Sequence, residues 1–243
     1  MKNILFIISL CLISCSEDRT LQKISSIENP NIVLIFMDDL GYGDIMQFGS
    51  INYQTPHINK LAKEGMLFTN FYSVQAVCSA SRAALLTGSY PNRIGISGAL
   101  MPYSTTGLNE NEITIAELLK EKGYATSIFG KWHLGFQEKF LPLNHGFDTF
   151  LGIPYSNDMW PVDFDGNQIS DSSDWRKKSY PQLPLIENFN KIDEIRTLED
   201  QARLTTLFTE MSVEFINNNK DNPFFLYLPH PMPHVPIAVS NKF

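Results

Sequence analysis

The sequence predicts an α/β fold with a mainly parallel central sheet flanked by helices. Two observations support this prediction. Short apolar runs rich in branched and aromatic residues recur along the chain, and segments with helix-start and helix-stop residues alternate with them. The chain has 243 residues, 43% of them hydrophobic, which is enough for one sizeable domain with its own core.

Apolar runs separated by turn residues mark the predicted strands. Residues 31–37 form a continuous branched run, which indicates a strand buried on both faces. The other predicted strands are residues 66–72, 124–129 and 223–228.

Helix signals lie between these runs. The first predicted helix begins at Thr55 and Pro56, a cap followed by a proline at the first helical position, and ends at Gly65. Further helices are predicted at 115–122 and 198–217. Residues 154–190 are predicted to be a loop, because Pro, Asn, Asp and Ser cluster there without a period.

The N-terminal segment, residues 1–15, is predicted to be a targeting signal. Its apolar run at 4–12 is too short to span a bilayer as a mature helix. Residues 12–15, Leu-Ile-Ser-Cys, resemble a bacterial lipobox, in which Cys15 is lipidated and becomes the new N-terminus. We therefore expect an exported, membrane-anchored bacterial lipoprotein in the periplasm or at the cell surface. An ordinary cleaved secretory signal is the alternative.

Cysteine usage isolates one residue in the folded part of the chain. Residues 16–30 are polar and irregular and are interpreted as a linker to a domain at 31–243. Of the three cysteines, Cys11 and Cys15 lie in the signal, so Cys78 is the only one in the domain. A lone cysteine in an exported protein indicates special chemistry.

Residues 78–82, Cys-Ser-Ala-Ser-Arg, are a candidate anion site. They lie at a predicted helix start, and Arg82 follows Cys78 by one turn on the same face. A helix N-terminus offers free N–H groups and partial positive charge. Because the net charge is −7, nucleic acid is not an expected partner, and an anionic substrate must be attracted by local charge.

Polar residues follow three predicted strands, and the carboxyl ends of parallel strands share one rim of a sheet. They are Asp38 and Asp39, then Lys131 and His133, and then His230 and His234. Asp38 and Asp39 offer oxygen ligands that suit Ca²⁺ or Mg²⁺, although a solvated turn has the same composition. Lys131 can neutralise a substrate oxygen, and His133 can move protons near neutral pH.

Four motifs, in the family's order, resemble arylsulfatase-type members of the formylglycine-dependent sulfatase family, within the alkaline-phosphatase superfamily. They are residues 33–44, 78–88, 130–135 and 152–156. The resemblance covers residues 31–243 and implies a sulfatase-like fold. It also implies hydrolysis of sulfate esters of carbohydrates or aryl alcohols.

The resemblance implies a role for each motif residue. Cys78 would be converted to formylglycine (3-oxoalanine) by a formylglycine-generating or an anaerobic sulfatase-maturing enzyme, and would act as nucleophile and metal ligand. Asp38 and Asp39 would bind Ca²⁺, with Mg²⁺ as the alternative. Arg82 would hold the aldehyde hydrate, and Lys131 and Ser156 would contact the sulfate. His133 would take a proton from the second hydroxyl of the hydrate. His234 would lie near the leaving-group oxygen.

The family pattern also includes a segment downstream of His234 that carries an Asp-Asn pair of metal ligands and a later lysine, and the sequence up to Phe243 contains no such segment. We therefore expect a chain truncated at its C-terminus, the N-terminal part of a sulfatase catalytic domain, inactive or unstable in isolation. The alternatives are a phosphate or phosphonate ester hydrolase using the same oxidised cysteine, an inactive lipid-anchored remnant that binds sulfated glycans, and an enzyme that keeps Cys78 as a thiolate nucleophile.

Overall fold

The structure, a computed structural model, describes residues 29–169 and 175–242, with the side chains at 175 and 176 left out. The predicted signal segment with its lipidation site Cys15, and the predicted linker up to residue 28, lie outside the described residues. In the described ranges no helix is both long and apolar enough to cross a membrane.

A six-stranded sheet in the order β1-β6-β2-β3-β4-β5 forms the centre of the described part of the chain. The strands are β1 (Ile32–Met37), β2 (Ala125–Lys131), β3 (Thr149–Ile153), β4 (Leu183–Glu187), β5 (Asn190–Ile195) and β6 (Phe224–His230). The neighbours β1, β6, β2 and β3 pair in parallel, and β4 and β5 add antiparallel pairs at one side. The predicted mainly parallel sheet is confirmed.

Helices cover the sheet. They are α1 (Pro56–Glu64), α2 (Cys78–Thr87), α3 (Ile115–Lys120), α4 (Trp175–Ser179) and α5 (Leu198–Asn219). Helix α1 ends at Gly65 as predicted, and α5 begins with a capping box in which Thr197 and Asp200 bond each other's backbone. The predicted helix at residue 78 is confirmed, with Cys78 as its first residue.

The core lies on both faces of the sheet, because successive side chains of a strand point in opposite directions. On β6, Phe225 and Tyr227 join one cluster with Trp132 of the segment after β2. Phe224 and Leu226 join the other cluster, against α5. The whole of β6 is buried, as expected for a central parallel strand.

Two predictions about strands were wrong, and strand β3 was not predicted at all. Strand β1 is not buried on both faces: it is the edge of the described sheet, and Val33 and Ile35 are 44% and 55% exposed. Residues 66–72 form no strand, since an apolar pattern becomes a strand only where a neighbour satisfies its backbone, and no described segment pairs with it.

The predicted loop at 154–190 contains α4, β4 and the start of β5 as well as irregular chain. Strands β4 and β5 form a hairpin whose turn includes Asn188 in the left-handed region, at φ +57°. Charged residues on β5 obscure the strand pattern, because this edge strand faces solvent along most of its length.

Glycines allow the strand ends to approach closely. Gly130 has φ +141°, and a Cβ there would overlap the backbone carbonyl of Pro229 on β6. Gly152 is its register partner on β3, and a Cβ there would overlap the backbone carbonyl of Gly130. The backbones of β6, β2 and β3 therefore meet tightly at the rim where the polar residues lie.

Candidate active site

The carboxyl ends of the parallel strands place the predicted polar residues next to one another. The register pairs Met37 with His230 and Lys131 with Ile153. Strand β2 extends to Lys131, two residues beyond its predicted end, so the lysine belongs to the strand and His133 follows it.

Asp38 has the most contacts in this group. It is 5% exposed. Its Oδ2 accepts hydrogen bonds from Nη2 of Arg82, at 3.2 Å, and from Nζ of Lys131, and its Oδ1 lies 3.4 Å from Sγ of Cys78. Burial opposes the ionised carboxyl, but the charges of Arg82 and Lys131 outweigh it and hold the pKa of Asp38 at about 2. The carboxylate is therefore ionised at neutral pH.

Arg82 and Lys131 give the site an excess of positive charge. Both are fully buried, with Asp38 as their shared ion-pair partner. Nη1 of Arg82 donates to the backbone carbonyl of Lys131 at 2.5 Å, and Nζ of Lys131 donates to Oγ of Ser156 at 3.0 Å. Two cations thus share one carboxylate, an arrangement that is completed by an anion.

Cys78 lies beside these charged side chains and is partly open to solvent. It is half-buried at the first position of α2, and the preceding residue, Val77, makes no side-chain cap hydrogen bond. The first N–H groups of α2, beside Cys78, therefore have no side-chain cap from Val77. An open cleft of 390 Å³, lined in part by Asp39, Cys78 and Phe71, gives access to the thiol.

His133 is held in one tautomer. It is 1% exposed, and its Nε2 lies 2.8 Å from the carbonyl of Leu100, so Nε2 carries the proton and donates it. Nδ1 is buried without a partner. Burial and the nearby charges of Lys131 and Arg82 place the pKa of His133 well below its usual value. The imidazole is therefore neutral, with a free lone pair beside a positively charged site.

His234 and His230 differ in their contacts and in the direction in which their pKa is shifted. Nε2 of His234 lies 3.6 Å from Oδ2 of Asp39, and Nδ1 donates to the carbonyl of Val235 at 2.6 Å. Burial acts against the imidazolium of His234, but its contacts with Cys78 and with that carbonyl leave its pKa raised. His230 is 7% exposed, and burial lowers its pKa to about 4. Geometry therefore favours His234 over His230 as the proton-carrying group near residue 78.

The structure joins Asp38, Cys78, Arg82, Lys131 and Ser156 through direct contacts. His234 and Asp39 contact each other at the entrance, and His133 lies beneath, within the electrostatic reach of Lys131 and Arg82. Asp44, the last residue of the motif at 33–44, accepts a hydrogen bond from the backbone N–H of Gly41 at 2.8 Å.

Sequence reasoning missed the residues that support the site. Ser79 accepts the N–H of Leu100 at 3.0 Å, and so places the carbonyl that orients His133. Asn157 and Gln201, both fully buried, bond each other below the loop that carries His234. Ser79 lies inside the motif at 78–88 and Asn157 directly follows the motif at 152–156, whereas Gln201 on α5 has no signal in the sequence.

The residues that the structure describes supply only part of a calcium site. Asp38 and Asp39 are adjacent carboxylates, but one oxygen of Asp38 is bound by two cations. Over residues 29–169 and 175–242 there is no group of three or more His, Cys, Asp and Glu side chains able to hold a metal ion. Ca²⁺ takes six to eight oxygen ligands, so these side chains alone do not complete its coordination.

Comparisons with known proteins show what this chain is similar to. The family model described as Sulfatase matches residues 30–243. The chain is 36% identical to N-acetylgalactosamine-6-sulfatase of Mus musculus over 230 residues, which cover 88% of this chain and 42% of that protein. It is 38% identical to an arylsulfatase of Hemicentrotus pulcherrimus over 225 residues, 88% of this chain and 39% of that protein. The chain therefore spans about two-fifths of the length of these relatives.

A solved structure shares the fold. Ps i-CgsB in complex with k-i-k-neocarrahexaose superimposes with a TM-score of 0.69 at 33% identity, over 86% of this chain and 46% of that chain.

Proposed function

Because this chain belongs to the sulfatase family, we propose that the whole protein hydrolyses sulfate esters. The observation that carries the proposal is the buried group of Arg82 and Lys131 around Asp38, which leaves one positive charge unmatched beside Cys78. A sulfate monoester is a tetrahedral anion, and cationic donors in a site of low dielectric stabilise charge on its oxygens. The free N–H groups at the start of α2 add to this.

We propose that Cys78 acts after conversion to formylglycine by a formylglycine-generating or an anaerobic sulfatase-maturing enzyme. The hydrated aldehyde supplies one hydroxyl to attack sulfur and a second hydroxyl whose deprotonation releases the sulfate. Cys78 is accessible through the cleft, and the other cysteines of the chain lie in its N-terminal segment.

The chain's own residues would bind the ester and move its protons. Nζ of Lys131 and Oγ of Ser156, 3.0 Å apart, would hold the sulfuryl oxygens, and Arg82 would hold the nucleophile. His234, whose Nε2 lies 3.6 Å from the Asp39 carboxylate, would donate a proton to the departing alcohol oxygen as the S–O bond breaks. His133, neutral and with Nδ1 free, would accept a proton at that atom from the second hydroxyl.

We propose Ca²⁺, with Mg²⁺ as the alternative, as the ion held by Asp38, Asp39 and residue 78. The carboxylates suit a hard cation, but the described residues do not complete its coordination. No proton transfer above depends on the ion. Isothermal titration of Ca²⁺ and Mg²⁺ into the whole protein, with the variant Asp39→Asn as control, tests this: equal binding by both proteins contradicts the assignment.

We propose a sulfated carbohydrate as the substrate class, with aryl sulfates as model substrates. The support is similarity: one relative is named for an N-acetylgalactosamine 6-sulfate activity, and one similar structure holds a carrageenan-type hexaose. We also propose export and attachment to a membrane through lipid on Cys15. Labelling with a fatty-acid analogue in wild type and in Cys15→Ala tests the anchor.

The decisive experiment uses the whole protein expressed with a maturing enzyme. Hydrolysis of 4-nitrophenyl sulfate is compared with that of 4-nitrophenyl phosphate, and mass spectrometry reads the tryptic peptide at 64–82, which contains residue 78. We expect sulfate release, an aldehyde mass at residue 78, and no release from Cys78→Ala. Preference for the phosphate ester, or full activity with an intact thiol, would overturn the proposal.

A further inference from the structure

Two buried amides, far apart in the chain, lie below the entrance to the site. Asn157 follows Ser156 in the segment after β3, and Gln201 lies on the first turns of α5. Nε2 of Gln201 donates to the carbonyl of Asn157 at 2.6 Å, and Nδ2 of Asn157 donates to Oε1 of Gln201 at 3.3 Å. Both side chains are fully buried, so neither amide has water as a substitute partner.

The same Nδ2 also faces the loop that carries His234. It lies 3.4 Å from the carbonyl of His234 and 3.4 Å from the carbonyl of Val235. The Val235 carbonyl accepts the Nδ1 proton of His234 at 2.6 Å. The position of one buried amide therefore determines both the backbone of this loop and the group that orients its imidazole.

Asn157 is also the direct neighbour of Ser156, whose Oγ contacts Nζ of Lys131. The amide thus lies between the group that would contact the sulfate and the group that would protonate the leaving oxygen. Gln201 fixes Asn157 from a helix that contributes none of the residues assigned above to binding or catalysis.

We propose that Asn157 and Gln201 are positioning residues that set the distance between the His234 imidazole and the ester oxygen. The expected change in kcat rests on the proposed function. The expected change in the stability of the loop rests on the geometry alone. Neither residue touches substrate. Without Gln201, the buried carbonyl and amide of Asn157 lose their partner, and the loop at 231–236 is held less firmly.

The structural test needs no activity. Hydrogen exchange measured by mass spectrometry on peptides spanning 229–240 compares wild-type whole protein with Gln201→Leu, which keeps the size and removes the hydrogen bonds. The matched control is Ser212→Ala, which removes another buried hydrogen-bonding group from α5. We expect exchange in this loop to accelerate about tenfold in Gln201→Leu and to stay unchanged in the control.

The kinetic test separates positioning from general loss of structure. A displaced proton donor matters most for a poor leaving group, so we expect kcat of Gln201→Leu to fall about tenfold with phenyl sulfate and by less than about threefold with 4-nitrophenyl sulfate. KM should change little for both. Should Gln201→Leu fail to fold, Gln201→Met, which is unbranched and has no N–H or O–H donor, is measured instead and should give the same two effects.

Unchanged exchange at 229–240 overturns the proposal, as does an equal loss of kcat on both esters. Absence of all ester hydrolysis in the wild type overturns the proposed function instead, and the exchange data then still decide whether this amide pair holds the loop.

Discussion

Nε2 of His133 donates to the backbone carbonyl of Leu100 at 2.8 Å and leaves Nδ1 buried without a partner. A main-chain carbonyl cannot be protonated in this pH range, so the tautomer does not change as the site titrates. Since Oγ of Ser79 accepts the N–H of Leu100, the helix that begins at Cys78 also fixes the orientation of this imidazole.

Activity should persist at pH values where an ordinary histidine is protonated. Burial and the neighbouring cations lower the pKa of His133 well below its usual value, and a base is lost only as the pH falls through its own pKa. We expect the acid limb of kcat against pH, measured with 4-nitrophenyl sulfate, to lie below the pH range in which an ordinary histidine titrates. His133→Asn should lower kcat by about 100-fold or more, whereas exposed His57→Asn should not. An acid limb centred at the ordinary histidine value would contradict this.

Asp38→Asn should destabilise the protein strongly, because Arg82 and Lys131 would stay buried without a counter-charge. Breaking one partner of a buried ion pair costs about 3 kcal/mol or more. The matched control is Asp39→Asn, whose side chain is 63% exposed and which should change stability by less than about 0.5 kcal/mol. Urea unfolding in EDTA measures both variants, and similar midpoints for the two would refute the role given to Asp38.

The same carboxyl should make stability depend on acid pH. Its pKa is depressed from 3.8 to about 2 in the folded state, so its contribution is present above the unfolded pKa and is lost as the pH falls through the folded one. The gap in unfolding free energy between wild type and Asp38→Asn should therefore narrow by roughly 2 kcal/mol between pH 5 and pH 2. A gap that stays constant over this range, in EDTA, would disprove the assignment.

Gly130→Ala should be severely destabilising, since the new Cβ would overlap the Pro229 carbonyl and the φ of +141° disfavours any L side chain. We expect a loss above about 3 kcal/mol. Gly43→Ala is the control, because a Cβ there has open space and an ordinary φ. Thermal unfolding measures both, and a small shift for Gly130→Ala would mean that β6 and β2 can separate without cost.

Local signals in the sequence were enough for three of the parallel strands, β1, β2 and β6, but not for β3, which leads to Ser156. Residues 223–228 form a buried apolar run, and the structure places β6 over this segment inside the sheet, between β1 and β2. The strand that failed to form at 66–72 has an identifiable cause. Residues 66–72 carry the same apolar pattern, but whether such a run becomes a strand depends on a partner supplied by distant chain, which periodicity does not report.

The sequence by itself determined the chemical groups and their order: a cysteine and an arginine one helical turn apart, carboxylates after the first strand, and a lysine and histidines after later strands. These follow from local rules, because helix starts, strand ends and motif spacings are set within a few residues. Tertiary structure alone decided which charged side chains form ion pairs and which tautomer of His133 is present. Asp38 meets Lys131 across 93 positions of the chain, and Asn157 meets Gln201 across 44. Contacts over such separations depend on how the strands are ordered in the sheet. Only when that order has formed is the pKa of Asp38 depressed, and only then does the Asn157 amide contact the loop that carries His234.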